Sequence, residues 1–365
     1  MSRMIGIITA NYRGGIPNEL EAARPVASLP FLGRYRLVDF ALSDMVNSGI
    51  DVVGLIMPVN YRSIIDHVGL GKDWGLDRKA GGLFIQPGSA FGASQQAPRF
   101  LLRDLLQNKE IFLRNNFDHV VFSSANIVCN TDFRDLMAAH ERSGADITLY
   151  AQQARRDDPC VVALDVDGDR LKATRFGVMK GEMASLDMFV ISRELLLSLL
   201  DAFEAVDYLD LFQALSGSYE RFDVRIERFE GYAAPVFDDL TYYDANMEAL
   251  WGNTVAELFP PERFILTKAH DTAPVKYEVS ANVASSAIAA GCHIAGTVKG
   301  SILGRSVVVE QGAQVIDSIV MQGCHIGAGA RVANAILDRN NVVESECTIA
   351  GTSEHVMIVP KPKVH

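Results

Sequence analysis

The apolar residues of the chain follow two different rhythms, one before and one after about Glu257. In the first part, short apolar runs alternate with longer stretches in which apolar residues recur every three or four positions. The short runs are β-branched or aromatic and are bounded by polar residues, so they predict the strands MIGIIT, DVVGLIM, HVVFSS, DITLYAQ and SLDMFVI. The stretch LVDFALSDMVNSG predicts a helix, with Leu37, Ala41 and Met45 on one face and Gly49 at its end.

Strands that alternate with helices predict an α/β fold, here a Rossmann-like domain whose mostly parallel sheet is covered on both faces. Ligands of such sheets bind beyond the carboxyl ends of the strands. The stretch GIITANYRGGIPNEL is an apolar strand followed at once by a turn that contains glycines. It is therefore the expected position of a phosphate-binding loop.

From Val279 onward, apolar residues recur six positions apart, with Gly, Ala or Ser crowding the positions between them. The pairs are Ile288 and Ile294, Val309 and Val315, Val320 and Ile326, Ile326 and Val332, and Ile336 and Val342. This period predicts a left-handed parallel β-helix, in which each triangular coil stacks one aliphatic layer inward. The alternative is a β-sandwich, which would show alternation at every second residue and turns every ~8 to 12 residues. The ends and faces of a β-helix offer unpaired strand edges or apolar surface, so we expect the protein to assemble with other subunits.

A proline-containing connector, LFPPERFILTKAHDTAPVKY, separates the two rhythms. We predict an α/β domain over residues 1–255, a linker over 256–276 and a β-helix domain over 277–365. The 365 residues suit two domains, since single cores stop growing near ~250 to 300 residues.

Charge and cysteine content narrow the class of protein. The net charge of -11 argues against a nucleic-acid-binding surface. The five cysteines form no C-x-x-C pair and no finger-like spacing with histidine, which predicts a reduced, metal-free chain. No apolar run reaches the ~18 to 20 residues of a membrane span, and the amino-terminal run is too short for a signal peptide. We therefore expect a soluble cytoplasmic protein with neither a nucleic-acid nor a membrane partner.

The run PFLGRYRLVDFALSDMVNSGIDVVGLIMPVNYRSIIDHVGLG resembles the amino-terminal core of the glucose-1-phosphate adenylyltransferase (ADP-glucose pyrophosphorylase) family. The motif of that family is F-G-G-K/R-Y/F-R-L-I-D-F-x-L-S-N, followed by an N-S-G-I turn and a Q-Y strand end. The stretches ASLDMFVISRELL and YYDANMEAL resemble its A-S-M-G-I-Y-V-F and Y-W-E-A-N-L-D-L segments. With the β-helix included, the resemblance covers nearly the whole chain. It implies a nucleotidyltransferase domain followed by a left-handed parallel β-helix.

The resemblance also implies a phosphate-binding loop, but the residues of that loop depart from the family. In the family, backbone amides and an arginine hold the triphosphate, and two aspartates hold magnesium. The loop sequence L-A-G-G-x-G-T-R-L aligns with TANYRGGIP, so that its third glycine falls on Gly14. Its first two glycines fall on Asn11 and Tyr12, and its arginine falls on Ile16. Two large side chains thus stand where glycines leave the backbone open to phosphate, and an apolar side chain stands where the family has a positive charge.

Both metal-binding aspartates of the family are replaced in this alignment. The aspartate of A-G-D-H-I-Y falls on Asn126 in FSSANIVCNTDF. An amide can coordinate a cation through oxygen but brings no charge. The aspartate of W-x-D-V-G-T falls on Pro235, and only a local slip of register would bring Asp238 or Asp239 to this position.

Three further motifs fit poorly, while two contacts of the family remain. The lysine of A-K-P-A falls on Val26, or on Arg24 if a gap of two residues is allowed, and the E-K-P motif has no clear counterpart before Met183. The helix start G-T-A-D falls on Phe100, Leu101, Leu102 and Arg103. Ser185 matches the sugar-contacting serine, and Asn60 is a shortened equivalent of a glutamine near the base, so these two and Gly14 are the residual candidates for nucleotide or sugar binding.

The missing groups imply a non-catalytic chain. Removing one preorganised charge-stabilising group typically costs ~10² to 10³ in rate, and at least three are absent here. The resemblance therefore implies a regulatory subunit of bacterial glycogen biosynthesis that modulates a catalytic adenylyltransferase in a hetero-tetramer, with homo-oligomers when alone. It implies no cofactor in this chain and magnesium only in the catalytic partner. It also implies an anionic effector bound at Arg34 and Arg36, although Arg36 can instead pair with Asp39 along the helix.

Two other activities stay open. An active sugar-phosphate nucleotidyltransferase with unusual metal ligands would use Asp238 or Asp239. A hexapeptide acyltransferase would use His293 or His325, from the two GCHI repeats, as a general base.

Two acidic features have a structural and a functional interpretation. Asp132 follows a strand end like a catalytic acid, but we predict that it caps the helix FRDLMAAHERSG. The stretch from Asp165 to Asp169 resembles a calcium loop, but it lacks the closing glutamate, and we predict a solvated hairpin turn.

Overall fold

The computed structural model describes residues 3–11, 20, 24–89, 99–114, 116–217 and 219–362. Its helices are α1 (Leu37–Asn47), α2 (Arg62–Val68), α3 (Leu102–Gln107), α4 (Glu110–Arg114), α5 (Phe133–Ser143), α6 (Arg193–Ala202), α7 (Leu211–Leu215), α8 (Asp239–Glu248) and α9 (Gly252–Leu258). Within these ranges, no helix is both long enough and apolar enough to cross a membrane.

The strands fall into two groups, one up to residue 235 and one after it. Those up to residue 235 are β1 (Met4–Thr9), β2 (Pro30–Phe31), β3 (Tyr35–Arg36), β4 (Val52–Met57), β5 (Gly82–Pro87), β6 (His119–Ser124), β7 (Ile127–Val128), β8 (Ile147–Gln153), β9 (Asp158–Asp167), β10 (Arg170–Val178), β11 (Met183–Ser192), β12 (Val224–Arg228) and β13 (Ala234–Pro235). The short strands that follow are β14 (Lys276–Tyr277), β15 (Asn282–Ala284), β16 (Ala287–Ile288), β17 (His293–Ile294), β18 (Thr297–Lys299), β19 (Ile302–Leu303), β20 (Val308–Val309), β21 (Gln314–Ile316), β22 (Ile319–Val320), β23 (His325–Ile326), β24 (Arg331–Ala333), β25 (Ala335–Leu337), β26 (Val342–Val343), β27 (Thr348–Ala350) and β28 (Met357–Val359).

The chain divides into two compact units. The first consists of residues 1–16, 38–237 and 261–266. The second consists of residues 17–37, 238–260 and 267–365. The second unit therefore includes residues 17–37 and 238–255, which the sequence pattern places in the α/β domain. A pattern of apolar residues indicates which segments are helix or strand, but not the body against which each segment packs.

A nine-stranded mixed sheet in the order β5-β4-β1-β6-β11-β8-β12-β10-β9 is the centre of the first unit. Strands β5, β4, β1 and β6 run parallel, as the alternation of strands and helices predicts. Strand β11 runs antiparallel between β6 and β8. Aromatic rings pack on the sheet, where Phe122 and Phe189 stack with centroids 4.6 Å apart and Phe100 meets both rings edge-on. The carboxyl ends of four parallel strands thus lie along one edge of this sheet.

Local sequence signals of the first unit are confirmed by its structure. Gly49, just beyond the end of α1, has the left-handed φ of +78°. The carboxylate of Asp132 caps α5, because it accepts a hydrogen bond from the backbone N–H of Arg134 at 2.9 Å. The acidic stretch forms the predicted hairpin between β9 and β10, with Gly168 in the turn at a φ of +65°.

Three parallel five-stranded sheets form the β-helix of the second unit. Their orders are β14-β17-β20-β23-β26, β15-β18-β21-β24-β27 and β16-β19-β22-β25-β28. The interior holds one aliphatic column from each sheet, namely Ile294, Val309, Ile326 and Val343, then Val298, Val315 and Val332, then Leu303, Val320 and Leu337. The six-residue period therefore predicts the architecture of this unit, a left-handed β-helix.

One of the predicted six-residue pairs, Ile336 with Val342, is wrong by one residue. Val342 is 64% exposed, whereas Leu337 and Val343 lie in the interior. Each of the two strands carries two apolar residues in succession. The spacing alone cannot tell which of the two side chains points inward.

The corners of the β-helix combine left-handed residues with a ladder of serine hydroxyls. Asp317 and Asn334 precede the same corner in successive coils and have φ values of +45° and +46°. Next to them, the N–H of Ser318 donates to Oγ of Ser301 at 3.1 Å, and the N–H of Ala335 donates to Oγ of Ser318 at 3.2 Å. Each bond joins residues 17 positions apart, so this corner repeats with a 17-residue coil.

Candidate functional site

The structure brings together the two positions at which the family motifs would place metal-binding aspartates. Asn126 follows the end of β6, and β7 directly after it pairs antiparallel with β13, which places Pro235 opposite Ile127. The carbonyl of Asn126 accepts a hydrogen bond from the N–H of Val236 at 2.9 Å. The side-chain Nδ2 of Asn126 donates to the carbonyl of Val236 at 3.3 Å. Two distant parts of the sequence thus meet at the carboxyl end of a central parallel strand.

The residues at this meeting point do not suit a magnesium ion. Asn126 is fully buried, and its Oδ1 accepts a hydrogen bond from the hydroxyl of Ser124. Pro235 has no side-chain oxygen. Magnesium sites of this kind rely on carboxylates, which supply both oxygen and negative charge. Within the described ranges, no three His, Cys, Asp or Glu side chains are grouped so that they could hold a metal ion.

Asp238, one of the two carboxylates that a register slip would bring into the metal site, caps a helix. Its carboxylate accepts a hydrogen bond from the N–H of Thr241 at 2.7 Å, and Oγ1 of Thr241 accepts one from the N–H of Asp238 at 2.9 Å. This reciprocal capping box fixes the start of α8. Asp239 is the first residue of that helix.

At the end of β1, a polar cluster that the sequence does not predict involves Asn11. The predicted loop residues Gly14 and Ile16, with Tyr12, lie outside the described residues. The Asn11 side chain is 1% exposed, and its Nδ2 donates to Oδ2 of Asp104 at 2.6 Å and to the carbonyl of Ser89 at 3.1 Å. The N–H of Ser89 donates to Oδ1 of Asp104 at 2.7 Å, and its hydroxyl donates to the same oxygen. We call Asn11, Ser89 and Asp104 the clasp.

Burial of the clasp has an electrostatic consequence. Desolvation raises the pKa of the Asp104 carboxyl above its ordinary value, while hydrogen bonds from Ser89 and Asn11 act in the opposite direction. The sequence indicates only that Asn11 occupies a glycine position. The partners of Asn11 are 78 and 93 residues away, which is why no local pattern reveals them.

Ser185, the predicted sugar contact in β11, is bonded to a neighbouring carboxylate. The N–H of Asp187 donates to Oγ of Ser185 at 3.1 Å, and this hydroxyl lies 3.4 Å from Oδ1 of Asp187. Oδ2 of Asp187 forms an ion pair at 3.1 Å with Nε of Arg99, whose guanidinium lies 4.1 Å from the centroid of the Phe237 ring. Asp187 has the left-handed φ of +50° and stands where the A-S-M-G motif has glycine.

The two candidates for the family's lysine, Val26 and Arg24, lie in the second unit and are both buried. Val26 is buried in a short 3-10 turn. Arg24 is 2% exposed and forms a buried ion pair with Asp338 of the β-helix. Its guanidinium also lies 3.5 Å from the sulfur of Met321.

The predicted effector residues lie on the hairpin formed by β2 and β3. Arg34 is exposed, and its guanidinium carbon is 5.5 Å from the centroid of the Tyr35 ring. Arg36 is partly buried in β3. Within the same unit, Nη2 of Arg305 donates to the carbonyl of Arg34 at 3.2 Å, which brings a further guanidinium to this hairpin.

The remaining candidates are a surface asparagine and two histidines. Asn60 is exposed in the loop between β4 and α2. In the β-helix, Nε2 of His293 lies 2.7 Å from Oε1 of Glu278, and Nε2 of His325 lies 2.7 Å from Oε1 of Glu310. Each histidine is thus paired with a glutamate that directly follows the neighbouring strand of the same sheet, one coil earlier.

Comparison with known proteins supports the architecture. Residues 20–180 match the family described as "Nucleotidyl transferase", and residues 268–355 match the family described as "GlmU-like, C-terminal hexapeptide". The glycogen biosynthesis protein GlgD of Geobacillus stearothermophilus is 33% identical over 314 residues, or 86% of this chain and 83% of the relative. The GlgD protein of Bacillus subtilis is 29% identical over 99% of this chain and 96% of the relative. Glucose-1-phosphate adenylyltransferase of Fervidobacterium nodosum is 27% identical over 96% and 86%, respectively.

Proposed function

Because this chain belongs to the family of GlgD glycogen biosynthesis proteins and glucose-1-phosphate adenylyltransferases, we propose that it is a non-catalytic regulatory subunit of bacterial glycogen biosynthesis. In this proposal it assembles in the cytoplasm with a catalytic glucose-1-phosphate adenylyltransferase, as a hetero-tetramer, and modulates it. The partner joins ATP to glucose 1-phosphate and releases diphosphate, and the magnesium ion of that reaction is bound by the partner.

The observation that carries the proposal is the pairing of Asn126 with the Pro235 strand. The fold places these two positions side by side, where the reaction requires two carboxylates, and neither residue has one. Phosphoryl transfer depends mostly on positioning and on electrostatic stabilisation. A site that keeps the backbone arrangement without the charges retains the scaffold of the enzyme. It lacks the electrostatic stabilisation of the transition state that supplies most of the rate enhancement.

Two alternatives have less support from the same contacts. An active nucleotidyltransferase would need Asp238 or Asp239 as a metal ligand, but the carboxylate of Asp238 already caps α8. An acyltransferase would need a histidine base such as His293 or His325, each of which pairs with a glutamate, but the relatives of this chain are named for glycogen biosynthesis.

We further propose that the hairpin formed by β2 and β3 binds an anionic effector. Arg34 is exposed there, Arg36 lies two residues further, and Arg305 contacts the backbone of the same hairpin. Guanidinium groups suit phosphate because they form planar, bidentate hydrogen bonds. On a chain with a net charge of -11, such a local group of cations is the feature that would recruit a small anion.

Mixing this chain with its catalytic partner tests the proposed function. We expect the isolated chain, with magnesium, ATP and glucose 1-phosphate, to turn over at least ~100-fold more slowly than a catalytic homologue from the same organism. Co-expression should give a stable assembly whose rate or effector response differs from that of the homologue alone. Size-exclusion chromatography and a diphosphate-release assay measure both. An isolated chain with an ordinary enzyme rate would refute the proposal.

Substituting Arg34 tests the effector site within the mixed assembly. We expect Arg34→Gln to raise the effector concentration needed for half-maximal response by roughly three- to tenfold, because one charge-assisted contact is lost. The matched control is Arg114→Gln, which removes an exposed arginine of the first unit that pairs with Glu110. An unchanged response in Arg34→Gln, with the assembly intact, would place the effector elsewhere.

A further inference from the structure

We propose that the clasp of Asn11, Ser89 and Asp104 closes the nucleotide crevice of this chain, which therefore does not bind Mg-ATP. This inference rests on the proposed function and deepens it, because it specifies that the chain regulates its partner without a nucleotide of its own. It concerns only described residues of the first unit.

The position of the clasp is the first argument. Asn11 lies two residues beyond the end of β1, and Ser89 lies two residues beyond the end of β5. Asp104 lies in the first turn of α3 and joins them. In a parallel sheet, the space beyond the carboxyl ends of the strands is where a ligand binds. Here a side-chain network from three separate elements occupies that space.

The side-chain donors of Asn11 and the donors of Ser89 are all used within the clasp. The amide of Asn11 has two donor hydrogens, one of which goes to Asp104 and the other to the carbonyl of Ser89. The N–H and the hydroxyl of Ser89 both donate to Asp104. Three of these four donors thus serve the carboxylate of Asp104, and the fourth serves the backbone carbonyl of Ser89. A phosphate or ribose would have to displace Asp104, or the carbonyl of Ser89, to use any of them.

Packing behind Asn11 is the third argument. Gly88 lies so close that a Cβ at this position would be 2.5 Å from Nδ2 of Asn11 and 2.4 Å from the carbonyl oxygen of Met57. The amide of Asn11 is therefore held between the backbone of Gly88, just beyond β5, and the carboxylate of Asp104. Asn11 stands where the phosphate-binding loop of the family has a glycine. Its side chain fills the space that a ligand needs to approach the backbone.

A second carboxylate repeats the arrangement near the predicted sugar contact. Asp187 also stands at a glycine position of the family, is 8% exposed and bonds to Ser185 and Arg99. The groups that would meet a sugar phosphate are thus again bonded to a side chain of the protein. Asn11 and Asp187 thus both stand at glycine positions of the family and are both bonded within the protein, which supports closure from within rather than the loss of single contacts.

Direct measurement of Mg-ATP binding tests the clasp. We expect isothermal titration calorimetry to detect no saturable binding of Mg-ATP to the full-length wild-type chain up to millimolar concentration. The variant Asn11→Gly/Asp104→Ala, which reopens the crevice, should bind Mg-ATP saturably, with a dissociation constant at least tenfold below this millimolar limit. Its melting temperature should rise with ATP. The single variant Asn11→Gly is measured alongside, because it removes one side chain and leaves α3 intact. Asp201→Ala is the matched control, since it breaks the exposed Lys109–Asp201 pair outside the clasp.

Two results would overturn the inference. One is saturable binding of Mg-ATP to the wild-type chain with submillimolar affinity. The other is a folded variant, judged by its circular dichroism, that binds Mg-ATP no better than the wild type does. Wild-type binding accompanied by normal modulation of the partner would refute the clasp and leave the proposed function standing. Catalytic turnover by the isolated wild-type chain would refute the proposed function itself.

Discussion

Replacing Arg24 by methionine is expected to destabilise the second unit by about 3 kcal/mol, because it leaves a buried carboxylate without its partner. Arg24 and Asp338 are both 2% exposed at their side chains, so water does not compensate for the loss of either. The N–H of Arg339 donates to Asp338 at 2.6 Å, and the substitution does not remove this bond, so we expect a loss at the lower end of the range for such pairs. Denaturant unfolding followed by circular dichroism, with hydrogen exchange of residues 335–343, measures the effect.

A double variant separates the pair from simple loss of packing. In Arg24→Met/Asp338→Asn the uncompensated charge is gone, and we expect most of the lost stability to return. The exposed pair of Arg114 and Glu110 is the comparison, and Arg114→Met should cost less than about 1 kcal/mol. A loss in Arg24→Met no larger than that in Arg114→Met would contradict the assignment of Arg24 as a structural residue.

Replacing Asp44 by asparagine is expected to stabilise the first unit, increasingly so as the pH rises. Burial raises the pKa of the Asp44 carboxyl from its ordinary value to about 8, against hydrogen bonds from Thr131 and Cys129. Between about pH 4 and pH 8 the folded chain therefore holds a proton that the unfolded chain has lost, and stability falls as the pH rises through this window. Asparagine does not titrate, and its Oδ1 can still accept from the N–H of Thr131, which lies 3.0 Å from Asp44.

The expected gain of Asp44→Asn grows by about 1 kcal/mol per pH unit between pH 5 and pH 8. Denaturant unfolding at several pH values, followed by the fluorescence of buried Trp74, measures it. His140 has the opposite dependence, because burial lowers its pKa to about 4 and its stabilising contribution is lost as the pH falls below ~6.5. The wild type and the Asp44→Asn variant share this dependence on His140, so it cancels in the difference between their stabilities. The variant Asp51→Asn, at an exposed aspartate, is measured alongside as the control, and a gain for Asp44→Asn that does not grow with pH would contradict the prediction.

Much of the fold could be predicted because its determinants are local and periodic. The six-residue spacing after Val279 predicts the β-helix, and the strand signals predict β1, β4 and β6 closely. The mistake at Val342 shows the limit of this approach, since two adjacent apolar residues satisfy the same period. The assignment of residues 17–37 and 238–260 to the second unit depends on contacts far apart in the sequence, which no period encodes.

The candidate site was only partly accessible to prediction, for the same reason. Family motifs identify Asn126 and Pro235 one at a time, and the pairing of β7 with β13 places them together. The partners that fill the site, Asp104 for Asn11 and Arg99 for Asp187, are 93 and 88 residues away in the sequence. Motif comparison detects a missing group at a given position. It does not detect the group that has taken over its space.

The serine ladder of the β-helix constrains how this unit can change in length. Because Ser301, Ser318 and Ala335 occupy equivalent corners 17 residues apart, a duplication or deletion of 17 residues would keep every corner, interior column and ladder bond in phase. The coil between Ser286 and Ser301 has 15 residues and keeps the same ladder bond, so a coil can also be two residues shorter while its strands stay paired. The second unit can therefore become taller or shorter by whole coils, while each remaining coil keeps its own packing.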